Sequence, residues 1–338
     1  MERRARHPGR RRRTIVMIAV ASFAVGLGAC ADRPVGPNGD GLHPQPLRAV
    51  GVTAVGIGSV LHLYDGDGAP PTRVIVVERA NGEGTLTWLG HAGFRINLGG
   101  RSILIDPHLS DGYDTVLAIG PRRLNRPPRI AAIDRLDAVV ISHADRDHYD
   151  MRTLRRLAAR FPEARLIAPV GMGAEDDRHG FTRVTEVEMW RGLALGGLRV
   201  TPTPAHHHGR RNFIGLAPTP AAGWVIEGGG RRIFHSGDTA YGPVFGEIAG
   251  RFGRFDLGLL PIGAYAPRAL FGAVHASPEE AVRIAVDLGA RRAIGHHWGT
   301  FALGLESPGE AAARFETAAR GRLSARVLDI GETVKVEW

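Results

Sequence analysis

The chain has 338 residues, of which 43% are hydrophobic, so it is long enough to bury a large core and too apolar for an intrinsically disordered protein. Seven arginines and one glutamate within residues 1–29 supply +6 of the formal net charge of +9. The remaining chain therefore gives no support for nucleic-acid binding, and we expect no nucleic-acid partner. Cys30 is the only cysteine, which excludes a disulfide framework.

The N-terminal segment has the organisation of an export leader. Basic residues precede a short apolar run, Ile15–Leu27, that is too short for an ordinary membrane span. The sequence Leu27-Gly28-Ala29-Cys30 resembles the lipobox of bacterial lipoproteins, in which cleavage precedes the cysteine and lipid is attached to it. We therefore expect a lipoprotein signal peptide at 1–29, membrane lipid on Cys30, and a protein anchored in the bacterial cell envelope outside the cytoplasm. An ordinary signal peptide or an uncleaved anchor helix is the alternative.

Residues 30–84 are expected to form a flexible tether and a lead-in to the main domain. Pro, Gly and Asp are frequent up to about residue 46, as is typical of linkers. The apolar stretch 49–63 fits either a first strand or a segment that lies on the domain or on the membrane. From 85 to 338, alternating strand and helix patterns predict one globular domain.

The elements of that domain follow from hydrophobic patterning. Short apolar and β-branched runs predict strands at 85–89, 94–98, 102–105, 138–142, 165–168, 198–202, 223–227, 232–236, 257–261, 293–296 and 326–329. Helical spacing and caps predict helices at 151–160, 243–250, 278–288 and 308–320. This order fits an α/β fold, a four-layer αββα sandwich with two sheets face to face and helices outside.

The segment Ser142–Asp150 concentrates metal-ligand side chains directly after a predicted strand. His143, Asp145, Asp147 and His148 fall within six residues, and imidazole and carboxylate groups are common ligands of divalent metals. A solvated acidic turn would explain such a loop if it stood alone in the sequence.

Three further strand ends carry the same residue types. The strand at 198–202 leads to His206-His207-His208, the strand at 232–236 to Asp238, and the strand at 293–296 to His296-His297. An open sheet collects residues from the ends of several strands into one site. The recurrence therefore predicts a single dinuclear metal site.

Taken together, these segments resemble the metallo-β-lactamase fold superfamily of dinuclear hydrolases, and within it the N-acyl-phosphatidylethanolamine-hydrolysing phospholipase D group. The resemblance covers about residues 85–305. Besides the Ser142–Asp150 loop, it is carried by Thr87–Ala92, Leu104–Pro107, Ser236–Thr239, Pro261–Arg268, His275–Ala281 and His297–Phe301. It implies hydrolysis with two divalent metal ions, zinc first, with manganese or iron as alternatives.

The resemblance also implies how the metals are held. One metal would be bound by His143, Asp145 and His207; the second by Asp147, His148 and His297, with Asp238 bridging the two. The family motif has a histidine at position 145, so Asp145 is a departure from it. Aspartate still binds divalent cations, but it lowers the formal charge of the site by one and favours manganese or iron relative to zinc. A different or a weaker reaction would follow.

Two residues receive catalytic roles from the resemblance. Asp147 would orient or deprotonate the attacking water, and His275 would donate a proton or a hydrogen bond to the leaving or phosphoryl oxygen. Since Ser277, Pro278 and Glu280 form a strong helix start, packing beside that helix is the alternative role of His275.

The remaining histidines near these motifs receive weaker assignments. His91 and Asp106 are expected to support the site or fix a turn, in preference to binding metal. His207 and His297 are chosen over His206, His208 and His296 by resemblance and not by spacing.

Three functions are compatible with the sequence. The first is a lipid-anchored phosphodiesterase that acts on phospholipid-like substrates. The second is a hydrolase of a soluble lactone, phosphate ester or amide with the same fold. The third is a non-enzymatic binding protein that has lost a metal through Asp145. Contact with anionic lipid is best assigned to Arg122, Arg123, Arg126 and Arg129, although a solvated loop explains these arginines as well.

Overall fold

The computed structural model describes residues 68–73, 82–112, 121–174, 179–209 and 218–336. The predicted signal peptide, Cys30 and the 49–63 stretch lie outside these ranges. None of the helices within them reaches the combination of length and hydrophobicity that crossing a bilayer requires. Part of the predicted lead-in packs on the main domain, because Thr72 forms a parallel bridge with Ile330.

Two seven-stranded sheets form the centre of the domain. The first contains β1 (Thr85–Gly90), β2 (Gly93–Leu98), β3 (Arg101–Ile105), β4 (Ala138–Val140), β5 (Arg165–Pro169), β6 (Arg183–Val187) and β14 (Thr333–Lys335). Its order is β14-β1-β2-β3-β4-β5-β6. Strands β3 to β6 are parallel and the other neighbours antiparallel.

The second sheet repeats this mixed arrangement. It contains β7 (Leu193–Leu195), β8 (Leu198–Gly209), β9 (Thr219–Gly228), β10 (Arg231–His235), β11 (Leu257–Pro261), β12 (Arg292–His296) and β13 (Ser324–Arg326). Its order is β13-β12-β11-β10-β9-β8-β7. Strands β10 to β13 are parallel, so their carboxyl ends share one edge of the sheet.

Helices flank the sheets on both sides. The helices are α1 (Met151–Arg160), α2 (Val244–Phe252), α3 (Arg268–Phe271), α4 (Pro278–Asp287) and α5 (Pro308–Ala319). Helix α1 packs on the first sheet, whereas α2, α4 and α5 contact strands of the second. Asp150 caps α1 by accepting a hydrogen bond from Arg152 N, and Ser277 with Glu280 forms a capping box at α4.

Side-chain alternation along the strands produces the layers. Because successive strand residues point to opposite faces, each buried strand supplies two cores. In β4, Val140 joins Trp224 in the core between the sheets, while Val139 packs with Leu154 and Leu157 of α1. The predicted four-layer αββα sandwich is therefore confirmed.

Several strands differ from the sequence-based expectation. The short edge strands β6 and β7 were not predicted, and β8 continues to Gly209, well beyond the predicted end at residue 202. The strand predicted at 326–329 is wrong, since the chain instead forms β13 and β14 on either side of it. Strand β14 pairs with β1, with Lys335 opposite Thr85, and such a non-local pairing leaves no mark in a local pattern.

Candidate metal centre

The candidate site lies where strand ends of the two sheets meet. The loop after β4 carries His143 to His148, and the distal half of β8 carries His207. Asp238 follows β10, and His297 follows β12. Strand ends are a common position for functional side chains because the sheet holds them rigidly.

The first ligand group consists of His143, Asp145 and His207. Asp145 Oδ2 lies 3.5 Å from His143 Nε2 and also 3.5 Å from His207 Nε2. The side chain that departs from the family motif therefore faces both histidines. Three ligand atoms at this separation can surround one cation after small adjustments.

The second ligand group consists of His91, Asp147, His148 and His297. Asp147 Oδ2 lies 3.5 Å from His297 Nε2, 3.7 Å from His148 Nε2 and 2.9 Å from His91 Nε2. All four residues are buried. The carboxylate of Asp147 is thus the common point of three imidazole rings.

Asp238 stands between the two groups. Its Oδ2 lies 3.0 Å from His297 Nε2 and 3.3 Å from His148 Nε2, both in the second group. The same oxygen is 4.0 Å from His143 Nε2 in the first group. A carboxylate in this position is within reach of both ligand groups.

The ring nitrogens that face the centre make no hydrogen bond of good geometry, and their polar neighbours are the carboxylates of Asp145, Asp147 and Asp238. Within the described residues, no hydrogen bond reaches the Nε2 atoms of His143, His148, His207 and His297. Each unsatisfied buried polar atom costs roughly 1–3 kcal/mol, so four in one place indicate a ligand. Nitrogen and carboxylate donors of this kind suit divalent cations, and the residues present therefore fit a metal.

Hydrogen bonds of the Nδ1 atoms explain why the Nε2 atoms of these rings face the centre. His148 Nδ1 donates to Asp106 Oδ2 over 2.9 Å, and His207 Nδ1 donates to the Val274 carbonyl over 3.1 Å. His143 Nδ1 lies 2.8 Å from Ser142 Oγ, which itself donates to Asp106. With Nδ1 protonated and bonded, each ring presents Nε2 as a free electron pair. Asp106 therefore supports the ligands from behind.

The carboxylates stabilise positive charge at the centre. Burial disfavours the protonated ring of His148, but Asp238, Asp147 and Asp106 together raise its pKa well above the usual value. Against the same burial, Asp238 and Asp147 raise the pKa of His297 to about 9. Burial opposes ionisation of Asp238 as well, yet the nearby His297 and His148 hold its pKa well below the usual range. A divalent cation can replace these protons, because ligating imidazoles must be neutral.

His91, which the sequence placed in a supporting role, lies among the ligands of the second group. Its Nε2 donates to Asp147 Oδ2, and its ring is only 1% exposed. Three non-glycine residues of the site have positive φ, namely His91 (53°), Asp106 (42°) and His297 (59°). Such strained backbone occurs preferentially at functional sites. In the sequence, the signal for this position of His91 is the Gly90-His91 turn directly after a buried strand.

The neighbouring histidines point elsewhere. His296 stacks on His235 with ring centroids 4.7 Å apart, and both are fully buried in the support behind the site. The ring of His206 lies at 6.5 Å from that of Phe245. None of His206, His208 and His296 belongs to a ligand group among the described residues. His207 and His297 are therefore the members of their clusters that face the centre.

His275 lies at the rim of the two groups. Its Nδ1 is 3.8 Å from Asp238 Oδ2, and its ring centroid is 5.3 Å from those of His207 and His297. Burial lowers the pKa of His275 to about 3, so the ring is neutral at pH 7. Arg268 fixes its backbone by donating from Nη1 to the His275 carbonyl over 2.7 Å.

The arginine cluster at 122–129 has a partly structural role. Arg123 donates from Nη1 to the carbonyl of Ser110 over 3.0 Å, and its guanidinium lies 5.0 Å from the Phe301 ring centroid. Arg126 and Arg129 are exposed. Arg123 therefore ties two loops together, which leaves the exposed pair for solvent or ligand contact.

Comparisons with known proteins identify the family of the chain. The family model of the beta-lactamase superfamily domain matches residues 101–298. An uncharacterized protein of Mycobacterium tuberculosis is 36% identical over 69% of this chain, and the match spans 63% of that protein's length. N-acyl-phosphatidylethanolamine-hydrolyzing phospholipase D 1 of Caenorhabditis elegans is 32% identical over 70% of each chain. The structure of Igni18, a metallo hydrolase from Ignicoccus hospitalis, covers 74% of this chain and 97% of its own, with a TM-score of 0.54 and 25% identity.

Proposed function

Since this chain belongs to the beta-lactamase superfamily and resembles metal-dependent hydrolases, we propose that it is a dinuclear phosphodiesterase of the N-acyl-phosphatidylethanolamine phospholipase D type. One observation carries the proposal: two groups of histidines and aspartates, most of them buried, adjoin each other, with the carboxylate of Asp238 between them. The nematode phospholipase D relative supports a phospholipid-like diester as substrate.

Seven residues would hold the two cations. They are His143, Asp145 and His207 for one, Asp147, His148 and His297 for the other, and Asp238 for both; His91, whose Nε2 donates to Asp147, would support the second group. Bound there, divalent cations supply Lewis acidity to a phosphoryl oxygen and to water. The four imidazole donors favour zinc, which we place first, whereas the carboxylate donors make manganese or iron the alternatives.

The position of Asp145 argues against a degenerate binding protein. That interpretation requires the first ligand group to lack its third member. Asp145 instead turns its carboxylate toward both histidines of the group, 3.5 Å from each Nε2. The substitution therefore replaces one competent ligand with another.

His275 is the proposed proton or hydrogen-bond donor to the departing oxygen. The ring borders both ligand groups, and its buried Nδ1 has no hydrogen-bond partner within the described residues. A neutral imidazole offers one N–H to a substrate oxygen. Arg268, which Glu280 holds through two contacts of 2.8 and 2.9 Å, keeps the His275 segment in place.

Asp147 is the proposed group that orients the attacking water. Its Oδ2 is fixed by the hydrogen bond from His91, so the carboxylate cannot rotate freely. A carboxylate held in one orientation accepts the proton of a water in a defined direction.

Attachment to the membrane would bring the enzyme to such a substrate. We propose that lipid on Cys30 anchors the protein in the bacterial cell envelope, outside the cytoplasm. The basic leader, the short apolar run and the lipobox-like Leu27–Cys30 support this part of the proposal.

Elemental analysis and a substrate panel test the function together. We expect about two zinc or manganese ions per chain and turnover of N-acyl-phosphatidylethanolamine in mixed micelles. The panel should include bis(4-nitrophenyl) phosphate, 4-nitrophenyl phosphate and a γ-lactone at equal concentrations. Fewer than half a metal per chain after loading would contradict the dinuclear site. Full loading with turnover of the lactone alone would instead identify a soluble-substrate hydrolase.

A further inference from the structure

A second charged recess lies away from the metal centre. It has a volume of about 660 Å³ and is formed by the turns before β8 and β10 and by the segments before β11 and β12. Five arginines line it, Arg199, Arg231, Arg232, Arg254 and Arg291, together with the two acids Glu227 and Asp256.

The two acids are already engaged. Glu227 Oε1 lies 2.8 Å from Arg232 Nη2, and Asp256 Oδ1 lies 3.7 Å from Arg231 Nη1. Asp256 Oδ2 also accepts a hydrogen bond from Arg232 N over 2.9 Å. Both carboxylates thus compensate the arginines of β10.

Three guanidinium groups remain without compensation. In the part of the chain that the structure describes, Arg199, Arg254 and Arg291 make no ion pair. All three are exposed at the recess. Like charges within about 10 Å, the screening length at 0.1 M salt, repel each other. These three arginines line one recess, with the Arg199 guanidinium against Gly192, and an anion bound there would offset their repulsion.

The shape of the recess leaves room for such an anion. Gly196, Gly197, Gly228 and Gly230 line it, so the backbone forms this part of the wall. Gly230 has φ of 73° and open space where a Cβ would lie. The recess is therefore an open, positively charged depression.

We propose that this recess binds a phosphoryl group, carried by a soluble phosphate compound or by an anionic lipid headgroup. Guanidinium groups bind phosphate oxygens through paired N–H donors and keep their charge at every physiological pH. Three uncompensated guanidinium groups match the two to three negative charges of a phosphate or pyrophosphate.

The recess is separate from the metal centre. It lies at the amino end of β10, whereas Asp238 follows the carboxyl end of the same strand. The five residues of β10 span about 13 Å at ~3.3 Å per residue. A ligand in the recess therefore does not touch the metal ligands, and the inference does not depend on the proposed function.

Calorimetric titration of the metal-loaded protein with inorganic pyrophosphate tests the proposal. Arg254→Gln/Arg291→Gln removes two of the uncompensated charges, and Asp238→Ala disables the metal centre, which also attracts phosphate. We expect two classes of binding in the parent protein, one weakened at least tenfold in the arginine variant and the other lost in Asp238→Ala.

A matched charge control separates a site from general attraction. Arg155→Gln/Arg156→Gln removes two exposed arginines of α1, which packs on the other sheet. It should leave both classes of binding unchanged. Equal weakening in the two double variants, or no weakening in Arg254→Gln/Arg291→Gln, would overturn the proposal, provided that thermal unfolding confirms that both variants fold.

Vesicles identify the source of the phosphoryl group. In a Cys30→Ser background, partition onto phosphatidylglycerol vesicles but not phosphatidylcholine vesicles, lost in the recess variant, identifies a lipid headgroup. Recess-dependent pyrophosphate binding without vesicle partition identifies a soluble phosphate compound. Absence of both recess-dependent effects refutes the site.

Discussion

Replacing Asp145 tests the metal centre at the position where the chain departs from the family motif. Asp145→Ala removes a carboxylate that lies 3.5 Å from Nε2 of both His143 and His207. We expect it to lose the cation of the first ligand group and to keep that of the second, to which Asp145 does not belong. Asp145→His should keep both cations and shift the preference toward zinc, because a nitrogen donor replaces a harder oxygen.

The size of the effect follows from the charge that is removed. A cation among the ligand atoms of the first group would lie within about 4 Å of the Asp145 carboxylate. At an effective dielectric constant of about 20, the attraction between a divalent cation and one carboxylate amounts to ~8 kcal/mol, an upper limit of roughly a millionfold in affinity. A water ligand that takes the place of the carboxylate in Asp145→Ala recovers much of it. The Asp145 side chain is 27% exposed, so water and salt screen part of this attraction. We therefore expect the dissociation constant to rise by about 10²- to 10³-fold.

Chelator competition with zinc and with manganese, followed by elemental analysis, measures this loss for each position. The control is Glu163→Ala, which removes a carboxylate that is 79% exposed and pairs with Arg183 at the surface. This variant should leave the metal affinities of both ligand groups unchanged. Asp145→Asn, which keeps an oxygen but not the charge, separates the electrostatic contribution from coordination.

Two results would contradict the ligand role. The first is full occupancy of both positions in Asp145→Ala, with dissociation constants within threefold of the parent protein. The second is an unchanged ratio of zinc to manganese affinity in Asp145→His. Either result would mean that Asp145 only orients the neighbouring rings.

The other predictions concern the register of ligands, the support of Asp147 and the anchor. His207→Ala should abolish metal binding at the first ligand group, whereas His206→Ala should leave the metal content nearly unchanged. The reverse pattern in elemental analysis would mean that His206, and not His207, is the ligand. His91→Phe should weaken metal binding at the second group by roughly 10- to 100-fold, the usual effect of removing a partner of a ligand. His91→Gln should restore part of the lost affinity. Metal affinities in His91→Phe equal to those of the parent protein would contradict the supporting role. Cys30→Ser should release the protein from the membrane fraction and remove the mass of the lipid; unchanged fractionation would favour an uncleaved helix.

Local sequence was sufficient for the fold class and for the centre of the site. The run before Ser142 is apolar and short, and the loop after it holds four metal-ligand side chains. Strand and loop lie next to each other in the chain, so their relation depends on backbone geometry that local residues determine. The same holds for α4, whose cap residues Ser277 and Glu280 stand three apart as a capping box requires.

The sequence could not decide which histidine of the 206–208 run faces the metal centre. Strand β8 carries His206, His207 and His208, and simple alternation would decide which of them faces the site. The pairing of β8 with β9 shifts between Pro204 and His208, however. Such an irregularity changes the face to which the following side chains point. Resemblance supplied the choice of His207, and only the folded strand gives a physical reason for it.

Contacts between distant segments were decided by tertiary structure alone. His91 and Asp147 are 56 positions apart and are joined by a hydrogen bond of 2.9 Å. The arginines of the second recess, from Arg199 to Arg291, belong to four separate segments that meet because the strands from β8 to β12 are consecutive in one sheet. A linear sequence records which residue types are present near each strand end. The sheet order determines which of those ends lie side by side, because strand pairing is set by burial and packing over the whole domain.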